Sequence, residues 1–205
     1  LWAIRNVVSG ATVNVTGGTL TMPPAYTYGH GSDSDDLALV SMNGGTLNIS
    51  GGTWVQENKT FGMLVGPNST TASNSTGTVT VTGGNFTIGR RGFELYDGTA
   101  SFSNVTFTTL SGNSSLSNAI RCYGNAQVEL NKVTFDTIRG VSVSDTANAT
   151  LTDVTVKTHS SNTHLVSVGQ TASATVESAS IQTGTSTYNR AAINNAGTLN
   201  VKALT

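Results

Sequence analysis

Charge is scarce in this chain. Lysine and arginine together number 10 and aspartate and glutamate 11 in 205 residues, a charged fraction of 10% with a formal net charge of −1, against about 25% charged residues in typical domains. Ten scattered basic residues do not form the stripe that phosphate neutralisation requires, so the composition speaks against nucleic-acid binding. Disorder by charge repulsion is disfavoured as well, because the net charge is small and Val, Ile and Thr are abundant. The one cysteine, Cys122, excludes an internal disulfide framework, so stability has to come from packing and backbone hydrogen bonds. No apolar run approaches the roughly 18 residues of a membrane-spanning helix. No signal peptide is readable at the start, and Leu1 stands where Met would, so we expect a processed or excerpted beginning.

What is abundant is small and polar: 34 Thr, 23 Ser, 19 Asn and 23 Gly make up 99 of the 205 positions. These residues fall in a repeat. Its clearest copies are Ala11-Thr-Val-Asn-Val-Thr-Gly-Gly-Thr-Leu20, Gly45-Thr-Leu-Asn-Ile-Ser-Gly-Gly-Thr-Trp54 and Gly77-Thr-Val-Thr-Val-Thr-Gly-Gly-Asn-Phe86. Taking the second apolar residue as anchor, eight anchors follow 21 to 34 residues apart: Val15, Ile49, Val81, Phe102, Leu130, Leu151, Val176 and Val201. Five residues beyond them stand Leu20, Trp54, Phe86, Phe107, Phe135, Val156 and Ile181, and four beyond stands a small polar residue in every copy. Alternation of this kind is the pattern of a strand with one buried face. A third segment about eight residues upstream carries Leu95, Cys122, Val143, Val168 and Ile193 at its expected inward position.

Three short strands per repeat, none able to bury a core alone, imply an all-β parallel β-solenoid, most simply a right-handed β-helix with three strands per coil and about eight coils. At the spacing of neighbouring strands such a rod is about 35 to 40 Å long. We expect one domain over residues 1–205, as a segment of a longer rod or as a filament subunit. A sandwich would not explain the recurrence of Phe86, Phe107 and Phe135 in one register. The second corner reads Gly17-Gly18, Gly51-Gly52 and Gly83-Gly84, then Asn104-Val105, Lys132-Val133, Asp153-Val154 and Ser178-Ala179, so the cross-section is expected to change midway. Extra residues gather at the corner after the third strand, at 23–36, 56–62, 111–118, 158–164 and 183–190, while 66–76 leaves from another corner. Insertions along one edge mark the expected binding edge of a solenoid.

The Gly-Gly-Thr-Leu, Gly-Gly-Thr-Trp and Gly-Gly-Asn-Phe repeats, with Phe102-Ser-Asn-Val-Thr-Phe107 and Leu130-Asn-Lys-Val-Thr-Phe135, resemble the right-handed parallel β-helix (pectate-lyase-like) superfamily of pectate lyases, phage tailspikes and autotransporter passenger regions. Low Lys and plentiful Gly, Thr, Asn and Ser look most like passengers and surface adhesins, although Cys122 departs from their usual avoidance of cysteine. The resemblance implies an extracellular or cell-surface location and a fold, rather than a particular activity.

Enzymes of that superfamily act on acidic polysaccharides through clustered acids, with or without calcium. The tight acidic cluster here is Asp33, Asp35 and Asp36 in Gly31-Ser-Asp-Ser-Asp-Asp36. It is a weak calcium candidate, because it lacks the spaced ligands and terminal Glu of an EF-hand loop, and a solvated acidic loop is the plainer explanation. Otherwise no cofactor is implied. Tyr26, Tyr28 and His30 in Pro23-Pro-Ala-Tyr-Thr-Tyr-Gly-His30 lie outside the core register and form the carbohydrate-binding candidate, with an ordinary ordered loop as the alternative. Glu94 and Arg121 occupy outward positions on adjacent coils and are expected to pair, an exposed interaction worth about 0 to 1 kcal/mol. Arg90-Arg91 reads as a surface turn, the three histidines fall in expected loops, and Cys122 falls in an inward file, so no nucleophilic triad is signalled. The column Thr21, Val55, Thr87, Thr108, Asp136, Lys157 and Gln182 is too irregular for an ice-templating face. Nine Asn-X-Ser/Thr sequons, at Asn14, Asn48, Asn58, Asn68, Asn74, Asn85, Asn104, Asn113 and Asn148, sit at outward, corner or loop positions and are glycosylation candidates.

The composition and repeat together lead us to expect a non-enzymatic structural or adhesive β-solenoid, a surface adhesin shaft or filament subunit. Its expected partners are further coils, by continuation or head-to-tail self-stacking, and glycans or a host surface. The alternative is a polysaccharide-binding or polysaccharide-cleaving β-helix of lyase or tailspike type.

Overall fold

The computed structural model describes residues 3–23, 38–57, 62–66, 77–111, 118–159, 164–183 and 192–205. Within them the regular structure is all strand, and every strand pairing is parallel. The chain is a parallel β-solenoid. A first ladder stacks Ile4–Val8, Ala38–Asn43, Met63–Gly66, Arg91–Tyr96, Asn118–Tyr123, Arg139–Val143, Val166–Val168 and Ile193–Asn195. A second stacks Thr12–Val15, Thr46–Ile49, Thr78–Val81, Thr99–Thr109, Gln127–Asp136, Asn148–Thr152, Ser173–Val176 and Thr198–Val201. The third face is made by Thr19–Met22, Thr53–Gln56, Gly84–Ile88, the later halves of Thr99–Thr109 and Gln127–Asp136, Val154–His159 and Ala179–Thr183.

The expected inward files line a single core, except that the last anchor, Val201, is exposed. Ladder pairing places Val15 beside Ile49, Ile49 beside Val81, Val81 beside Phe102, and so on to Val176 beside Val201. On the third face Trp54, Phe86, Phe107 and Phe135 stack ring on ring, with centroids 5.7, 5.3 and 5.7 Å apart. Phe93 and Phe102, from the other two faces, meet this file edge to face, 4.9 Å from each other. Such pairs contribute about 0.5 to 1.5 kcal/mol each beyond area burial. The middle of the core is therefore locked by aromatic rings from all three walls.

The expected tally of about eight coils changes in detail. Five successive coils, from Ala38 to Val156, carry fully buried apolar residues on all three faces. Before them Ile4, Val13, Val15 and Leu20 are only partly buried, and beyond them Ile181, Ile193 and Leu199 are likewise partly covered. In the last coil the register also differs from the expected one. Ile193 pairs with Val166, and Asn195 takes the position opposite Val168, because the turn before Thr198 is two residues shorter than its predecessor. A Cβ at Gly197 would collide with the carbonyl oxygen of Gly169, so only glycine permits that short turn.

The expected midway change of cross-section is visible at the second corner. In the first three coils the left-handed residue is the second glycine, with φ of 91° at Gly18, 97° at Gly52 and 121° at Gly84. In the next three it lies one position earlier, at Asn104, Lys132 and Asp153 with φ of 55°, 56° and 52°. Moving the bend back by one residue turns the following position inward. Val105, Val133 and Val154 fill it and are buried, and the strands Thr99–Thr109 and Gln127–Asp136 run through the corner without a break. Asn and Asp tolerate this conformation, whereas for Lys132 it costs about 1 to 2 kcal/mol.

The five insertions of the third corner lie between successive turns as expected, after Met22, Gln56, Thr109, His159 and Thr183. The insertion after Gly66 leaves from the first corner instead.

Candidate functional site

Ionisable and aromatic side chains converge on the outer face of the first ladder, where Arg91–Tyr96 lies beside Asn118–Tyr123. Alternation along Arg91–Tyr96 sends Phe93 and Leu95 into the core, leaving Glu94 and Tyr96 on the other face; Arg121 and Tyr123 are their in-register neighbours. The Arg121 Nη1 donates to Glu94 Oε1 at 2.8 Å, and Arg91 Nε stands 3.4 Å from the same oxygen. The expected pairing of Glu94 with Arg121 is thus present, but its expected exposure is not. Glu94 is only 2% exposed.

The burial of Glu94 has a physical cause. Pointing away from the core means exposure only where the outer face meets water, and here that face is itself covered. Gly66 and Ser41, one and two coils before Glu94 in the same column, are buried as well. The Met63 side chain occupies the space that a Cβ on Gly66 would enter. A carboxylate taken out of water in this way needs its cations, and removing a partner from such a pair costs more than the 0 to 1 kcal/mol of a surface bridge.

Tyr96 and Tyr123 stack with centroids 4.6 Å apart and planes 14° from parallel. The Arg121 guanidinium carbon lies 5.1 Å from the Tyr123 ring centre, a favourable cation–π geometry. Burial pushes both phenols above their ordinary pKa, and the Glu94 carboxylate adds to the rise while Arg121 and Arg91 oppose it. The rings turn faces to each other and to Arg121. They present a poor platform for face stacking of a sugar.

The corner that follows these strands is bound by side chains running from coil to coil. Asp97 Oδ1 accepts from the Asn125 amide at 2.6 Å and from its Nδ2 at 3.1 Å. The Gly124 amide donates to Asp145 Oδ2 at 3.0 Å, and the Thr146 hydroxyl donates to Asn125 Oδ1 at 2.9 Å. Asp97 and Asp145 themselves hold positive φ, 54° and 57°. At the third corner the buried Gln56 donates through Nε2 to the Gly62 carbonyl at 2.7 Å, while its Oε1 accepts from the Arg90 and Arg91 amides at 2.9 and 3.1 Å. One side chain thereby joins three successive turns.

Of the residues singled out in the sequence, Asp33, Asp35, Asp36, Tyr26, Tyr28, His30, Asn58, Asn68, Asn74 and Asn113 lie outside the described residues. Among the described residues no group of three or more His, Cys, Asp or Glu is placed to hold a metal. Cys122 is fully buried and desolvation pushes its thiol pKa up, which makes it unreactive. Five sequon asparagines are described. Asn48 Nδ2 donates to Asn14 Oδ1 at 2.8 Å, and Asn148 Nδ2 donates to the Ser173 hydroxyl at 2.8 Å. Asn85 and Asn104 are exposed, the latter at the corner with positive φ.

Sequence reasoning missed Gln56 and the tyrosine pair. Both left a signal. Gln56 is a polar residue two places after the inward Trp54, where alternation demands an apolar one. Tyr96 and Tyr123 each follow an inward residue of the same file, Leu95 and Cys122. No protein-family model matches this chain, and no curated protein or solved structure matches it significantly.

Proposed function

We propose that this chain is a non-enzymatic extracellular structural or adhesive β-solenoid, the shaft of a surface adhesin or a filament subunit, akin to the β-helical passengers its repeat resembles. The observation that supports this reading most is how its carboxylates are used. Eight acidic residues lie among the described ones, and five of them bridge adjacent coils. Glu94 pairs with Arg121, Asp97 accepts from Asn125, Asp145 accepts from Gly124, Asp153 accepts from the Ser178 hydroxyl at 2.7 Å, and Glu177 takes Lys202 at 2.7 Å. A carboxylate holding a neighbouring coil is not free to accept a substrate proton. Most of the described carboxylates thus serve axial cohesion, as a rod requires.

On this reading the partners are further coils, in the same rod or in a second copy stacked head to tail, together with surface glycans. Any of the nine sequons is then open to glycosylation, which intact-mass and peptide analysis of native material measures directly. The alternative, a polysaccharide-binding or polysaccharide-cleaving β-helix, is favoured by the gathering of five insertions at one corner. Incubation with pectin, polygalacturonate and a panel of neutral and acidic glycans, with and without calcium, separates the two. We expect no turnover; cleavage that disappears on replacing Asp33, Asp35 and Asp36 would establish the enzymatic reading instead.

A further inference from the structure

We propose that Tyr96 and Tyr123 form an oxidative coupling site, at which a peroxidase-type one-electron oxidant joins the two rings as dityrosine and so staples adjacent coils covalently. The two residues are in register on neighbouring parallel strands, 27 positions apart in sequence. Their rings lie at 4.6 Å and 14°, the short end of the range found for aromatic pairs. In-register parallel stacking sets each ortho carbon, Cε, beside its counterpart. The remaining approach needs rotation about χ2, a broad two-fold torsion. Both side chains are half-buried, so an oxidant reaches them while the strands hold them together. One coil further the column continues with Ser144, so the Tyr96–Tyr123 stack does not extend to a third ring there.

The chemistry balances with hydrogen peroxide as the terminal oxidant. Each phenol loses one electron and its hydroxyl proton to give a neutral phenoxyl radical. The Arg121 cation over Tyr123 disfavours a positively charged ring, so proton and electron leave together. The radicals couple through a new Cε–Cε bond, and the hydrogen on each of these carbons returns as a proton to the ring oxygen, restoring aromaticity. Two electrons and two protons pass to one peroxide, which becomes two waters. A disulfide between coils is closed here because the chain has a single cysteine, and that thiol is buried.

The test is to treat the full chain at low concentration with a haem peroxidase and hydrogen peroxide. We expect a monomer lighter by two hydrogens, blue dityrosine emission, and a cross-linked peptide joining Tyr96 to Tyr123. In denaturant the yield of that peptide should fall at least tenfold, since proximity is lost. The variants Tyr96→Phe and Tyr123→Phe should each abolish it, and the folded wild-type peptide map decides the matter should either variant misfold. Links that fall chiefly on other tyrosines or between chains, or an equal yield in the folded and denatured chain, would overturn the proposal.

Discussion

Replacing Gln56 with methionine tests whether one polar side chain holds the third corner of three turns. Methionine keeps the length and removes the hydrogen-bonding atoms. The substitution orphans the Gly62 carbonyl and the Arg90 and Arg91 amides, now bonded at 2.7, 2.9 and 3.1 Å. Each unsatisfied buried group costs about 1 to 3 kcal/mol. The two amide bonds are only part-buried, so water restores some of the loss there, and the total is expected near 3 kcal/mol. Since a solenoid need not unfold in one step, the decisive assay is local: amide hydrogen exchange at Arg90 and Arg91. A loss of about 3 kcal/mol corresponds to roughly a hundredfold faster exchange where opening is local. Amides in the second ladder, such as that of Leu151, should change far less. Exchange at Arg90 and Arg91 within threefold of the parent protein, with an unchanged denaturation midpoint, would refute the clamp.

Phe107 touches Phe86, Phe93, Phe102 and Phe135, so Phe107→Ala should fall at the upper end of the roughly 3 to 5 kcal/mol range for such truncations, read as a lowered denaturant midpoint. Lys132, exposed at φ 56°, should accept Lys132→Asn with a gain of about 0.5 kcal/mol, while the β-branched Lys132→Val should lose more than about 1 kcal/mol; equal midpoints for the two would show that the corner is not strained. Tyr96 and Tyr123 have raised folded pKa values from burial, so their contribution is complete below about pH 10, the ordinary phenol value, and is lost as pH rises through the folded values. A difference titration of Tyr123→Phe against the parent should therefore remove a late-titrating phenol. Cys122 should resist a disulfide reagent in the folded chain and react only as fast as the core opens; prompt stoichiometric reaction would contradict its burial.

The solenoid was legible because its inward files repeat the same chemistry. Val, Leu and Phe recur at fixed offsets, and stacking identical positions is what a parallel ladder does. The corner change was also legible, as glycine gave way to Asn-Val, Lys-Val and Asp-Val. Register in the last coil was not, because counting backwards from Val201 assumes a turn of constant length, and Gly197 allows a shorter one. Nor was the burial of Glu94. Alternation assigns a residue to a face of its own strand and carries no information on what lies against that face. The same limit hid Gln56, whose three bonds reach turns 6 to 35 residues away.

The two halves of the rod solve axial cohesion differently. The first coils join through neutral pairs such as Asn48 with Asn14 and Thr99 with Thr78, and bend at glycine. From the fourth coil on, all five bridging carboxylates appear, and the corners bend at Asn, Lys and Asp with a buried valine behind them. Neutral amide and hydroxyl pairs in water contribute little each, and bonds to charged groups contribute more chiefly where they are shielded from water, as at the buried Glu94. In a structure whose stability is a sum of repeat and neighbour terms, coupling between coils is therefore weighted toward the C-terminal part. Among the described residues five of the eight carboxylates meet the next turn, so the little charge found there is concentrated at the junctions between coils.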